Sequence, residues 1–213
     1  KTYISGVDQA DAILVVARLE GATSGRLEPA LFMMPTDAPG LARTHIPTEV
    51  RTPERQFQLF FDDVRLPAEA LIGDGDTALL MLFAGLNPER IMASGMACGT
   101  ARYALDTATR YANERQVWKT PIGAHQGLAH PLAQCKIELE LARLMMRKAA
   151  ALVDAGMDEL AGEAANMAKY ASGEASARTV DQAIQTLGGN GLSVEYGLAG
   201  MLAASRLPRI APV

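Results

Sequence analysis

Between positions 2 and 61 the apolar residues come in short runs, rich in β-branched and aromatic side chains and broken by Gly, Pro, Ser and Asp. Such runs read as strands of an antiparallel sheet or barrel. They are predicted at 2–5, 12–17, 30–34, 42–46 and 56–61, with breaks at 21–25, 35–40 and 47–53. From Asp76 the pattern changes: apolar positions recur at three and four among Ala, Leu, Met, Glu, Arg and Gln. That spacing in strong helix formers predicts helices over about 77–112, 126–155 and 158–187, with a shorter one over 196–205. Gly73, Gly75, Gly123, Gly156 and the glycines at 188, 189 and 191 punctuate them. Long helices joined by short turns pack most simply as antiparallel neighbours. The expected architecture is α+β, with an antiparallel β-domain over 1–73 followed by an antiparallel helical bundle over 74–213.

Composition narrows the function classes. With 213 residues, 49% hydrophobic and 21% charged, the chain can build a large core and lies outside the range of disordered sequences. Its net charge of -4 arises from 24 acidic and 20 basic side chains mixed along the chain, which speaks against a nucleic-acid or anionic-membrane surface. The longest apolar run, 78–86, has nine residues, where a bilayer span needs about 20, so no membrane span is expected. Cys98 and Cys135 fall in predicted helices and offer neither CxxC spacing nor a disulfide framework, as suits a reduced interior. His45, His125 and His130 lack a second ligand at metal spacing, and no Gly-x-Ser-x-Gly elbow accompanies them. The ten methionines mostly fall at helical spacing and are expected to be core packing. A chain that starts at Lys1 and is strand-like by its second residue is expected to be part of a longer polypeptide.

Three stretches carry chemistry. In Leu86-Asn87-Pro88-Glu89-Arg90, Asn87 is a good N-cap with Pro at the first helical position, so the segment reads as a helix start or a kink. Glu89 is then either a first-turn carboxylate near the positive end of the helix dipole or a general base on a rigid element. Gly188-Gly189-Asn190-Gly191 follows a helical pattern and reads either as a C-cap or as bare backbone that a ligand can approach. It has no Walker Lys-Ser/Thr and no strand before it, which excludes both nucleotide fingerprints. Arg115 lies in a polar turn beside Trp118, as a phosphate clamp or as one half of a surface ion pair.

Four segments in order resemble the acyl-CoA dehydrogenase flavoprotein family. They are Lys1-Thr2-Tyr3-Ile4-Ser5-Gly6 with Ala10-Asp11; Phe61-Asp62-Asp63-Val64-Arg65-Leu66-Pro67; Leu86 to Arg90 with Tyr111-Ala112-Asn113-Glu114-Arg115, Pro121-Ile122 and Gln126; and Gln185 to Gly191. The resemblance implies the later strands of a middle β-domain plus most of a C-terminal helical bundle, with the N-terminal helical domain absent. It also implies a homotetramer, built as a dimer of dimers, with FAD at a subunit interface. Tyr3, Ile4 and Ser5 would lie against the isoalloxazine. Arg115, Trp118 and Gln126 would reach the FAD of a neighbouring subunit, and Gln185, Gly188 and Gly189 would line its pyrophosphate and adenosine side. Arg90 would sit near the acyl-CoA and help hold the base.

The implied reaction is α,β-dehydrogenation of an acyl-CoA thioester: a carboxylate removes the α-proton while the β-hydrogen passes as hydride to the flavin, and electrons leave to an electron-transfer flavoprotein. In medium- and short-chain members the base follows the Gly-Gly motif; counting forward without a gap puts Pro212 there, and proline cannot do that job. Members resembling isovaleryl-CoA and long-chain acyl-CoA dehydrogenases carry a glutamate just before an arginine on an earlier helix, which Glu89 before Arg90 matches. This chain also departs from the family at Trp118-Lys119, where many members have Phe-Gly, and at Ala203-Ala204, where Arg-Asp is expected. Two other functions compete: a non-catalytic partner subunit of a heteromeric assembly, and a flavin oxidase or monooxygenase on the same scaffold. A bacterial cytoplasm is expected, or a mitochondrial matrix if a transit peptide precedes the stretch.

Overall fold

The computed structural model describes residues 1–20, 25–50 and 52–211. The predicted break at 21–25 is outside these residues except for Gly25, and Pro212 is outside them too. Strands come first and helices follow: β1 (Ile4–Ser5), β2 (Ala12–Glu20), β3 (Leu27–Pro35), β4 (Leu41–Ile46), β5 (Gln56–Phe61), β6 (Leu71–Asp74), α1 (Gly75–Glu114), β7 (Gln116–Val117), β8 (Thr120–Pro121), α2 (Gln126–Asp154), α3 (Asp158–Leu187) and α4 (Leu198–Ser205). By contact the chain divides into two units, Lys1–Ala84 and Gly85–Val213, so the division falls within α1.

Among the described residues of the first unit every pairing is antiparallel. One sheet has the order β1-β5-β4, and the other β2-β3-β6. β2 and β3 pair over their whole length, from Ala12 opposite Pro35 to Glu20 opposite Leu27, three residues beyond the predicted strand ends. β6 was not foreseen, since four residues ending in Gly-Asp carry too little alternation to register. Its pairing with β3 shifts register between Leu31 and Phe32. Phe57 and Leu59 of β5 point inward with Val7 and gather Ile4, Ile13 and Leu41 around them, so residues of both sheets share this core.

The second unit is a bundle built on alanine. Ala101, Ala104, Ala108 and Ala112 of α1 pack with Leu132, Cys135, Leu139 and Ala142 of α2 and with Ala175, Val180, Ala183 and Leu187 of α3. A separate cluster joins Ile91 of α1 to Met145, Ala149 and Leu152 of α2 and to Ala164 and Ala165 of α3. This earlier part of α1 thus meets the end of α2 and the start of α3, which makes consecutive helices antiparallel as expected. Side chains this small let helix axes approach closely. An Arg178–Glu138 ion pair links α3 to α2, and Arg209 reaches back from beyond α4 to Glu174 of α3 at 2.7 Å.

Two expectations need correction. Asn87 is no N-cap: α1 runs unbroken from Gly75 through Pro88 to Glu114, and Pro88, having no N–H, leaves the Ala84 carbonyl without its usual helical donor. The methionines are mostly not core. Met34 is fully buried, whereas Met33, Met81, Met92, Met96, Met157 and Met167 are exposed. Met92, Met96 and Tyr103 of α1, Ile137, Leu141 and Leu144 of α2, and Met167 and Tyr170 of α3 form outward apolar stripes. Helical periodicity marks an apolar stripe without saying which face it lies on.

Leu139 is 1% exposed at the centre of the bundle, so Leu139→Ala should cost about 2–5 kcal/mol, measured by chemical denaturation. Burial pushes the thiols of Cys98 and Cys135 upward, with Arg143 partly offsetting the shift at Cys98 and Thr179 at Cys135. A thiol reagent at neutral pH should therefore modify both only slowly until denaturant is added.

Candidate functional site

The residues singled out from the sequence fall into three groups. In the first unit, Tyr3 precedes β1 with φ 59, a left-handed conformation rare for an aromatic residue, and its ring is exposed. Ile4 pairs opposite Phe57 and faces the core, while Ser5 pairs opposite Gln56. The Ser5 hydroxyl donates to Oε1 of Gln56 at 3.0 Å.

The second group occupies the turn of α1 around Pro88. Glu89 is exposed, and its carboxylate takes part in no hydrogen bond or ion pair among the described residues. Arg90 is only 7% exposed, and its Nη1 donates to Oδ1 of Asn87 at 3.2 Å. The two neighbours therefore point differently, as successive residues about 100° apart on a helix must. Below them Ser94, fully buried, donates its hydroxyl to the Arg90 carbonyl at 2.7 Å.

The third group is a corner at the far end of α1. Arg115 leaves the helix with its N–H bonded to the Tyr111 carbonyl, and its own carbonyl accepts from Ile122, which closes the β7–β8 hairpin. Trp118 and Lys119 form the two-residue hairpin turn, with φ 50 and 67. Positive φ at both central positions is the type I′ pattern, which normally selects Asn-Gly. With no glycine present the sequence carried no hairpin signal, and this hairpin was missed. Trp118 is 87% exposed and meets the His125 ring edge-on at 6.5 Å between centroids. Gln126 opens α2 directly after His125, whose side chain makes no cap bond.

Gly188 caps α3 with φ 58 and ψ -134, outside the left-handed helical region and open to glycine alone. A Cβ built on Gly188 or Gly189 would meet nothing within 4 Å, so this backbone is bare and approachable. Asn190 ties the glycine turn to the same corner: its Nδ2 donates to the Tyr111 hydroxyl at 3.0 Å, and Tyr196 packs edge-on against Tyr111. Arg115, Gln126 and Gln185 are all exposed, and none has a side-chain hydrogen bond or ion pair among the described residues. An uncommitted guanidinium, two amides and open glycine backbone are the donors that a pyrophosphate needs. No group of His, Cys, Asp and Glu among the described residues could hold a metal ion, and no described helix is long and apolar enough to cross a membrane.

Residues 79–212 match the family model described as acyl-CoA dehydrogenase, C-terminal domain. Over all 213 residues the chain is 63% identical to acyl-CoA dehydrogenase FadE12 of Mycobacterium tuberculosis, of which it covers 55%. It therefore spans about half the length of the curated relatives it matches. Among solved structures, glutaryl-coenzyme A dehydrogenase in complex with glutaryl-CoA superposes with a TM-score of 0.84 at 32% identity, over 99% of this chain and 53% of that one. The FAD complex of PigA superposes with a TM-score of 0.88 at 26% identity, over 99% and 55%.

A lysine at positive φ costs about 1–2 kcal/mol relative to a relaxed conformation. Lys119→Gly should thus raise stability by roughly 1 kcal/mol in thermal unfolding.

Proposed function

Because the chain belongs to the acyl-CoA dehydrogenase family, we propose that it takes part in FAD-dependent α,β-dehydrogenation of an acyl-CoA thioester, with Glu89 as the base. The observation that carries the assignment is the state of Glu89. Its backbone sits on a helical turn fixed by buried Arg90 and Ser94, while its carboxylate is committed to no other group among the described residues. A base needs a rigid mount and an uncommitted lone pair. The other position the family uses is Pro212, whose side chain has no atom able to accept a proton.

In this reading Glu89 takes the α-proton on a carboxylate oxygen, and the β-hydrogen leaves with its electron pair. FAD, when bound, supplies the acceptor for that hydride. Arg90 helps to hold the acyl-CoA in place. If FAD is bound as the family resemblance implies, Tyr3, Ile4 and Ser5 would lie against the isoalloxazine, and the backbone of Gly188 and Gly189, with Gln185, Arg115, Trp118 and Gln126, would hold the pyrophosphate and adenosine portion.

Distance along α1 supports a shared site between copies of the chain. About 25 residues separate Glu89 from the helix end at Glu114, or about 38 Å at 1.5 Å per residue. One rigid helix thus carries both the base and, at its end, the cofactor corner, an arrangement suited to a homotetramer in which the corner serves a neighbour's FAD. The outward apolar stripes on α1, α2 and α3 suit the same assembly. Electrons would pass on to an electron-transfer flavoprotein in the cytoplasm of a bacterium.

The test is anaerobic titration of the FAD-loaded protein, expressed as its full natural chain, with acyl-CoAs of several lengths. Flavin bleaching should be seen in the wild type and fall by about 10²-fold or more in rate in Glu89→Gln with FAD still bound. Equal bleaching in both would transfer the base to another carboxylate.

A further inference from the structure

The base assignment leaves the orientation of Arg90 to be explained. A guanidinium only 7% exposed needs acceptors, and each partner it has constrains its orientation. The planar fork carries five N–H donors in fixed directions, so fixing Nη1 constrains the direction of all the others. The acceptor of Nη1 is Oδ1 of Asn87, three residues earlier on the same helix, at 3.2 Å.

Asn87 is itself held. Its side chain is half-buried against α3, where it faces Gly162. A Cβ on Gly162 would lie 3.2 Å from Nδ2 of Asn87, tighter than ordinary van der Waals contact, and the three heavy atoms nearest to it all belong to Asn87. The Gly162 carbonyl in turn accepts Nδ2 of Asn166 at 3.0 Å, which holds this turn of α3. Glycine costs helix stability in such a place, so its presence where the close neighbour is the Asn87 amide needs a reason.

We propose that Asn87 is a positioning residue: seated in the space left by Gly162, it sets the plane of the Arg90 guanidinium on the turn that carries Glu89. This rests on the reading of Glu89 as base and Arg90 as substrate contact. Orientation of the acyl-CoA against the base then depends on a contact between α1 and α3, made by Asn87 and Gly162. Losing orientation lowers the rate of the chemical step more than it lowers affinity.

Flavin bleaching by a saturating acyl-CoA is compared in the FAD-loaded full chain for wild type, Asn87→Leu, Asn87→Asp, Gly162→Ala and Glu89→Gln, with a melting temperature for each. Asn87→Leu removes the acceptor and should slow bleaching about tenfold, with the half-saturating acyl-CoA concentration changed less than about threefold. Asn87→Asp keeps an oxygen in place and should restore most of the rate. Gly162→Ala should slow bleaching about threefold while its melting temperature stays level or rises, since alanine favours helix; a purely structural role would tie rate loss to lost stability. Bleaching at the wild-type rate in both Asn87→Leu and Gly162→Ala, with Glu89→Gln inert, overturns the positioning role and leaves the base in place. Bleaching at the wild-type rate in Glu89→Gln overturns the base assignment and, with it, the purpose given to Asn87.

Discussion

Everything proposed for this protein depends on how closely its three long helices approach one another. Alanine occupies most contact positions: 101, 104, 108 and 112 on α1, 142 and 149 on α2, and 164, 165, 168 and 183 on α3. Each buried alanine contributes little area, so stability comes from many short contacts and from dispersion across a narrow gap. The narrow gap has a second effect. It supports α1 beyond Pro88, where the helix lacks one backbone hydrogen bond and an isolated peptide would kink. The turn bearing Glu89 and Arg90 is therefore positioned by tertiary packing more than by its own sequence.

That explains what could and could not be read from the chain. The β-to-helix change, the antiparallel helices and both ends of α3 were legible because three-and-four spacing runs for tens of residues there. Asn87 and Pro88 read locally as a helix start or a kink inside the helix predicted over 77–112; the start is overridden by tertiary contact, and the longer helix is the one that forms. The exposed methionines misled because an apolar stripe looks the same whether it faces the bundle or away from it. The β7–β8 hairpin gave no signal, since Trp118 and Lys119 hold positive φ without glycine.

The candidate site was legible in its parts more than in its connections. Arg115 and the glycines at 188 and 189 suggest a ligand by their own chemistry, Gln126 only by the family resemblance, and they share a corner. The joint between them, Asn190 to Tyr111 across 79 positions of sequence, had no pattern to announce it. Gly162 is similar: an isolated glycine in a helical run reads as a small flaw, and only the position of the Asn87 amide gives it a purpose. Long-range contacts of single polar groups leave no periodicity, which is why sequence reasoning finds the residues and structure finds the pairs.

The central claim is that Glu89 is the carboxylate that meets the α-carbon of an acyl-CoA. The most direct measurement is a crystal structure of the Glu89→Gln protein, as its full natural chain, with FAD and an unreacted acyl-CoA bound. The account predicts the substituted side-chain amide at position 89 within about 3.5 Å of the substrate α-carbon, on the face opposite the flavin. An α-carbon placed against a different carboxylate, with position 89 turned to solvent, would contradict it.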